Sequence, residues 1–449
     1  MARFLFATQP ITGHLLPALP IVRALVERGH AVAWYAGARF QAQIEAVGAQ
    51  FAPYRTAYDY DDRDYNAAFP GRNKLEGLAQ IRFDFINLFM KQIGAQHHDL
   101  ANLLATFPAD VTVGDPSIAA TFTLNELGGP PNAVYNITCL GIKGRDVAPF
   151  GLGLLPNGSR LGRIRNRILG ALAARVIFKA VSDELGQQRT RLGVPPQRFE
   201  GVLLSRYLFL EPSIPAFEYP RGDLPAQVHY IGALLPDPPD VFTPPAWWGD
   251  VIGKQRPVIL VTQGTVATDS RELIGPALQG LAQEDVLVIA AGVTDPAQLG
   301  LEHLPANVRV ERFVPFKPLL PYVDVYVTNG GFGGVQYALA NGVPIIAAGT
   351  TEDKPEIANR VAYSGVGINL RTNRPTPAQI RAAVRQVLTH EQYRAAARRA
   401  AADLASHDAP HEAVGLLEQL AASRQPVYRG QSGVTIGQVD PANAAPTAG

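Results

Sequence analysis

Along the first third of the chain, short apolar runs alternate with longer stretches in which apolar residues recur every three or four positions. "RFLFAT", "HAVAWYAG" and "AQFAPY" read as strands, with "LPIVRALVERG" and "RFQAQIEAVG" as the helices between them. That order is βαβαβ and predicts a parallel sheet with helices on its faces. Gly29 and Gly48 stand where the glycine that ends a helix belongs. "DVTVGD", "IAATFTLNELGG" and "NAVYNIT" continue the alternation, and "VHYIGALL" closes it.

Prolines are dense from Pro212 to Pro245, and then a second series begins: "PVILVTQGT", "RELIGPALQGLA", "VLVIAAG", "VRVERFV", "DVYVTNGG", "GGVQYALANG", "VPIIAAG", "KPEIANRVAYSG" and a long Ala/Arg-rich helix from Thr376. The pattern predicts an α/β chain of two doubly wound, Rossmann-like domains facing a cleft. The first domain is expected over 1–235, a linker over 236–250, and the second domain over 251–426. Its last helix is expected to pack back on the first domain. Residues 427–449, patternless and rich in Gly, Ala and Pro, are expected to form a flexible tail.

Composition narrows the possibilities. A chain of 449 residues suits two cores better than one. A net charge of +1 gives no global field toward nucleic acid or an anionic membrane, so any anion must be held locally. Cys139 is the single cysteine, which excludes an internal disulfide and suits a reducing cytoplasm. The start "MARFLFATQP" is similar to a short signal core, but its apolar run is brief and reads as a first strand. No run reaches the roughly 18 consecutive apolar residues of a membrane span, so no stable membrane insertion is expected. Residues 160–179, "RLGRIRNRILGALAARVIFK", have two readings: a basic stretch that touches a membrane or an acidic acceptor, or a solvated helix face beside the cleft. The second is favoured, since a membrane anchor calls for a cleaner apolar face.

Several motifs fail on inspection. "GGFGGVQ" has Gln336 where the dinucleotide fingerprint needs glycine, and "GDVIGKQ" is one residue short of a P-loop. "DYDDRD", at 59–64, reads as solvated charge rather than a metal site. In "HDAPH", at 407–411, Pro410 breaks the helix that would align the histidines. His97 and His98 point about 100° apart on a helix. No metal site is expected.

The surviving residues fall at strand ends. "TGHLLP" puts His14 after the first strand, where a neutral imidazole can take a proton from a hydroxyl; the plainer reading is a helix cap. Asp115 ends another strand of the same sheet, placed to accept the second ring N–H of His14, or simply to make the turn before Pro116. "TQGT" and "TNGGFGG" end strands of the second sheet, and their glycines let a phosphate approach backbone N–H groups at a helix start. Tight turns without a ligand are the alternative. "ERFVPF" offers Phe313 and Phe316 for stacking on a base or for core, and "EDKPE" offers Glu352, Asp353 and Lys354 for sugar hydroxyls or a helix cap.

In order and spacing, "GHLLPALPI", "VGDP", "FVPF", "NGGFGG…ALANGVP" and "EDKPEIANRVAYSGVGINL" make nearly the whole chain resemble the family 1 glycosyltransferases of the GT-B type, relatives of UDP-glucuronosyl and plant UDP-glycosyltransferases. The resemblance implies inverting transfer of a sugar from a nucleotide-diphosphate sugar, UDP before dTDP, to a hydroxyl of a lipophilic small molecule such as a flavonoid, polyketide or terpenoid. It implies no metal and no cofactor beyond that co-substrate. The first domain would bind acceptor and the second donor. His14 matches the general base and Asp115 the orienting acid. Gly264, Thr265, Phe313, Val314, Asn329, Gly330, Gly331, Gly333, Gly334, Asp353 and Lys354 match donor-binding positions. Thr12, Phe85 and Phe89, the last two in "IRFDFINLFM", are acceptor candidates. The chain departs from the pattern at Asn329 (usually His), Gly334 (Ser or Thr), Tyr337 (Glu), Phe316 (Gln) and Lys354 (Gln). Those departures also admit a non-catalytic helper on the same fold, and a nucleotide-sugar epimerase is the other alternative.

Overall fold

The computed structural model of the protein describes residues 1–236, 242–263, 269–293, 299, 301 and 303–430. Gly264 and Thr265, and part of the expected linker, lie outside the described residues. Thirteen strands among those described form two all-parallel sheets. The first contains β1 (Arg3–Ala7), β2 (Ala31–Ala36), β3 (Gln50–Pro53), β4 (Val111–Gly114), β5 (Asn132–Tyr135), β6 (Leu208–Glu211) and β7 (Val228–Tyr230), in the order β3-β2-β1-β4-β5-β6-β7. The second contains β8 (Val258–Thr262), β9 (Leu287–Ala291), β10 (Val308–Glu311), β11 (Val325–Thr328), β12 (Ile345–Ala347) and β13 (Gly367–Asn369), in the order β10-β9-β8-β11-β12-β13.

Burial on both faces explains why the strands read as continuous apolar runs. Along β1, Phe4 and Phe6 enter one core layer while Leu5 and Ala7 enter the opposite one. Along β8, Val258 and Leu260 face one layer and Ile259 and Val261 the other. Gly29 and Gly48 adopt φ of 80° and 81°, the left-handed conformation that a helix-ending glycine takes without strain.

The chain order reverses direction at two places: between β1 and β4, and between β8 and β11. Those are the switch points where a doubly wound sheet opens a crevice at its strand ends. His14 and Asp115 follow β1 and β4, whereas the "TQGT" and "TNGGFGG" loops follow β8 and β11.

Two details differ from the sequence expectation. The long helix from Thr376 is two helices, Pro377–Thr389 and Glu391–Ala405, broken at His390. Ile380, Ala383, Val384 and Val387 pack on one face of the second sheet, whereas Ala396, Ala397, Ala400 and Leu404 pack on the other. A straight helix cannot serve both. The final helix, Ala409–Ser423, crosses to the first domain, where Ala413, Val414, Leu417 and Leu420 join its core. Residues 427–430, expected within a flexible tail, are held instead: Val427 is buried and its N–H donates to the Tyr207 carbonyl at 2.9 Å, while the Arg429 guanidinium donates to carbonyls of the β7 region.

Candidate active site

His14 sits on a short helical turn, Thr12–Leu15, rather than in an open loop, with Pro17 capping the next helix. The turn aims the ring at β4. His14 Nδ1 lies 3.2 Å from Asp115 Oδ1, the histidine 14% exposed and the aspartate fully buried. Ser117 completes the group. Its hydroxyl donates a short bond to Asp115 Oδ1 and lies 3.3 Å from His14 Nδ1. Its N–H also donates to Asp115 Oδ1 at 2.8 Å, and the Gln9 N–H donates to Oδ2 at 3.1 Å.

Burial by itself drives a carboxyl pKa upward. The facing His14 charge, the bonds from His14 and Ser117, and the main-chain N–H more than offset it, so Asp115 stays below the usual carboxylate range. An ionised Asp115 favours the proton on Nδ1, which leaves the ring's lone pair on Nε2. Phe89 lies alongside, its ring centre 6.0 Å from that of His14.

In the second domain, Gly330 has φ of 90°, a turn that favours glycine, and Gly331 stands at the start of the helix Phe332–Ala340, where no side-chain cap is present among the described residues. The first N–H groups have no partner within the helix and form the positive end of its dipole. A Cβ at Gly333 would meet nothing within 4 Å, and at Gly331 only Asn329 Oδ1 at 3.9 Å, so both glycines face open space. Phe313 follows β10 and is 69% exposed. The two domains meet across the cleft where the Thr138 hydroxyl donates to Asp353 Oδ2.

A family model described as the C-terminal domain of erythromycin biosynthesis protein CIII-like proteins matches residues 277–420. The chain is 44% identical to 4'-demethylrebeccamycin synthase of Lentzea aerocolonigenes over 423 residues, which cover 93% of this chain and 99% of that one. It is 34% identical to UDP-glycosyltransferase 2 of Phaeomoniella chlamydospora over 444 residues, 93% of this chain and 96% of the other. The chain belongs to the family 1 glycosyltransferases. Among solved structures, glycosyltransferase VinC in complex with dTDP superposes with a TM-score of 0.67 at 22% identity, over 94% of this chain and 99% of that one. The fold of this glycosyltransferase is therefore GT-B.

Several expected site residues of the glycosyltransferase are placed otherwise. Gly334 turns inward: a Cβ there would lie 2.5 Å from the Tyr326 hydroxyl, so packing by itself requires a glycine at this position. Val314 is buried in the core, so its side chain is not presented to a ligand. Asn329 spends an amide N–H on the Gln263 carbonyl, tying the two glycine loops together. Tyr337 donates its hydroxyl to the Pro236 carbonyl and so holds the interdomain chain. Phe316 packs edge-on against Tyr326 and Tyr337.

In the "EDKPE" cluster Lys354 and Asp353 have partners within the protein, while Glu352 stays exposed. Lys354 is paired with Glu352, which balances its charge locally. Asp353 bonds Thr138, and burial pushes its carboxyl above the usual range. On the acceptor side, Thr12 donates its N–H to Asp62 at 2.7 Å and accepts from Arg39. Asp62 is only 8% exposed, so "DYDDRD" is partly structural and not simply solvated. Phe85 stands behind Phe89, packed against Phe178 and Phe199.

Ser117 and Thr138 were not singled out from sequence. Ser117 had a legible signal, the Asp-x-Ser turn in which a serine N–H and hydroxyl close on the aspartate. Thr138 had none, because its partner belongs to the other domain.

Proposed function

We propose that this glycosyltransferase moves a sugar, with inversion and without a divalent cation, from a nucleotide-diphosphate sugar to a hydroxyl of a lipophilic natural product such as a flavonoid, polyketide or terpenoid. A UDP-sugar is the favoured donor and a dTDP-sugar the alternative. The names of its relatives, a UDP-glycosyltransferase and a rebeccamycin-type synthase, support that reading, as does the dTDP bound by a structural neighbour. The observation that carries it is the His14–Asp115–Ser117 group at one switch point, paired with an uncapped helix start at the other.

In this reading the acceptor hydroxyl gives its proton to His14 Nε2 while its oxygen attacks the anomeric carbon from the face opposite the diphosphate. The bond from that carbon to the diphosphate oxygen breaks, and its electron pair leaves with the nucleotide. The free N–H groups at the start of Phe332–Ala340 receive the growing negative charge. Asp115 keeps the ring oriented and stabilises the imidazolium, and a positioned base of this kind contributes about 10²- to 10⁴-fold in rate. Phe313 offers its exposed ring to the base.

The test is titration of the protein with UDP and dTDP in the presence of EDTA, beside the Gly331→Trp variant. Saturable binding lost in the variant is expected. Failure of both nucleotides to bind at millimolar concentration overturns the proposal.

A further inference from the structure

The helix Arg160–Leu172 and the wider turn that continues it to Ile177 dock on the first domain by a side of small and polar residues. Gly162, Asn166 and Ala173 are buried, and Asn166 donates to the Arg145 carbonyl at 3.0 Å. A separate side carries Leu161, Ile164, Ile168, Leu172 and Val176, at spacings of three and four, and all five are exposed, Leu161 at 79% and Ile168 at 63%. A helix held only by the hydrophobic effect would face the other way. At its N-terminal end the stripe is continued by exposed Leu154 and Leu155, and Arg165 anchors the Leu155 carbonyl at 3.1 Å. Just before Leu154, the N–H groups of Gly151 and Gly153 bind Glu356 of the second domain, so the stripe begins at the edge of the cleft.

Basic side chains border it. Arg160, Arg167 and Arg175 are exposed and have no partner among the described residues, while Arg163 pairs with Asp146. The sequence alone favoured a solvated helix face because the apolar side did not look clean. The structure separates it: a continuous aliphatic row outward, polar contacts inward, arginines along the border.

We propose that this face binds the surface of an anionic lipid bilayer, with the helix lying in the plane of the interface. A row of Leu, Ile and Val side chains suits the boundary between headgroups and acyl chains, and arginines at its margin suit acidic headgroups. Charge complementarity selects the bilayer over a second copy of this chain. Apposing two such stripes would bring the unpaired arginines of both copies together. No helix among the described residues is long and apolar enough to cross a membrane, so the contact is peripheral. The face leaves the cleft edge against the lipid, where a lipophilic molecule would be dissolved.

The test is co-sedimentation of the protein with vesicles of phosphatidylcholine alone and of phosphatidylcholine with phosphatidylglycerol, at low and high salt, beside gel filtration. Binding to the anionic vesicles is expected, weaker at high salt and weaker still to the neutral ones. The Arg160→Gln/Arg167→Gln/Arg175→Gln variant should weaken it by about a hundredfold, at the usual contribution per arginine near such a surface. Ile164→Asp/Ile168→Asp should abolish it with an unchanged melting temperature, because neither side chain is packed. If that variant unfolds, the arginine variant decides. No vesicle binding by the unaltered protein, or binding that neither variant weakens, overturns the proposal. So does a dimer in solution that Ile164→Asp/Ile168→Asp disperses, which would assign the face to a second copy. Vesicle binding needs no sugar transfer, so this result and that of the nucleotide titration are independent.

Discussion

Arg360 of the second domain donates from Nε to Glu218 Oε2 of the first at 2.6 Å, with the two side chains 3% and 1% exposed. The same guanidinium donates to the Leu140 carbonyl at 2.8 Å and lies 4.2 Å over the Tyr219 ring. Removing one partner leaves the other charge buried. The guanidinium also lies 3.3 Å from the buried Glu356 carboxylate, so Arg360→Ala should cost about 3–5 kcal/mol of stability, and Arg360→Met/Glu218→Leu should recover only part of that loss because Glu356 keeps its charge without a partner cation. Urea unfolding of the three proteins measures it; equal losses in the single and double variants would show that the pair acts only by packing.

Ser117 touches both members of the proposed His14–Asp115 pair, and in that reading its role is to position them. Asp115→Asn should lower kcat by about 10²- to 10⁴-fold, as expected for loss of an orienting carboxylate. Ser117→Ala should lower it by roughly tenfold, the loss of one hydrogen bond to a charged group, with little change in the donor KM. Steady-state kinetics separate the two, and a Ser117→Ala effect confined to KM would remove the serine from this role.

Glu211 ends β6 fully buried; Oε2 accepts from Asn136 at 2.8 Å and Oε1 has no partner among the described residues. Burial, with the nearby Glu218 charge added, pushes its carboxyl well above the usual range. A raised folded pKa means the folded state holds the proton more tightly than the unfolded one. The stability this contributes is complete below the unfolded pKa of about 4.5 and is lost as pH rises toward the folded value. Glu211→Gln imitates the protonated acid without the titration. Its melting temperature should exceed that of the unaltered protein by a margin that grows from mildly acidic to mildly alkaline pH. A margin independent of pH would refute the argument.

Gly334 lies under the Tyr326 hydroxyl, which in turn shares a hydrogen bond with Thr262 at 2.7 Å. Serine or threonine at this position, as in the family pattern, would overpack the site. Gly334→Ser should destabilise by about 1–3 kcal/mol, and Gly334→Ser/Tyr326→Phe should restore most of it. Thermal unfolding of the single and double variants tests the coupling; strict additivity would place the cost elsewhere.

The two parallel sheets, their strand ends, and the placing of His14, Asp115 and the glycine loop at those ends follow from the order of residues along the chain. The reason is local. A strand buried on both faces must read as an apolar run, a helix beside it must show its own period, and the loop after each strand must lie at the sheet's carboxyl edge. Tertiary structure alone decided which of those residues meet. Thr138 with Asp353, Arg360 with Glu218, Tyr326 with Gly334 and Ser117 with His14 are set by crossovers and domain contact, which no local period encodes. It also decided which face of Arg160–Leu172 is covered. Periodicity shows that a helix has an apolar side, but Gly162 and Asn166 allow the close, hydrogen-bonded approach that docks this one by its other side and leaves its aliphatic row in the open.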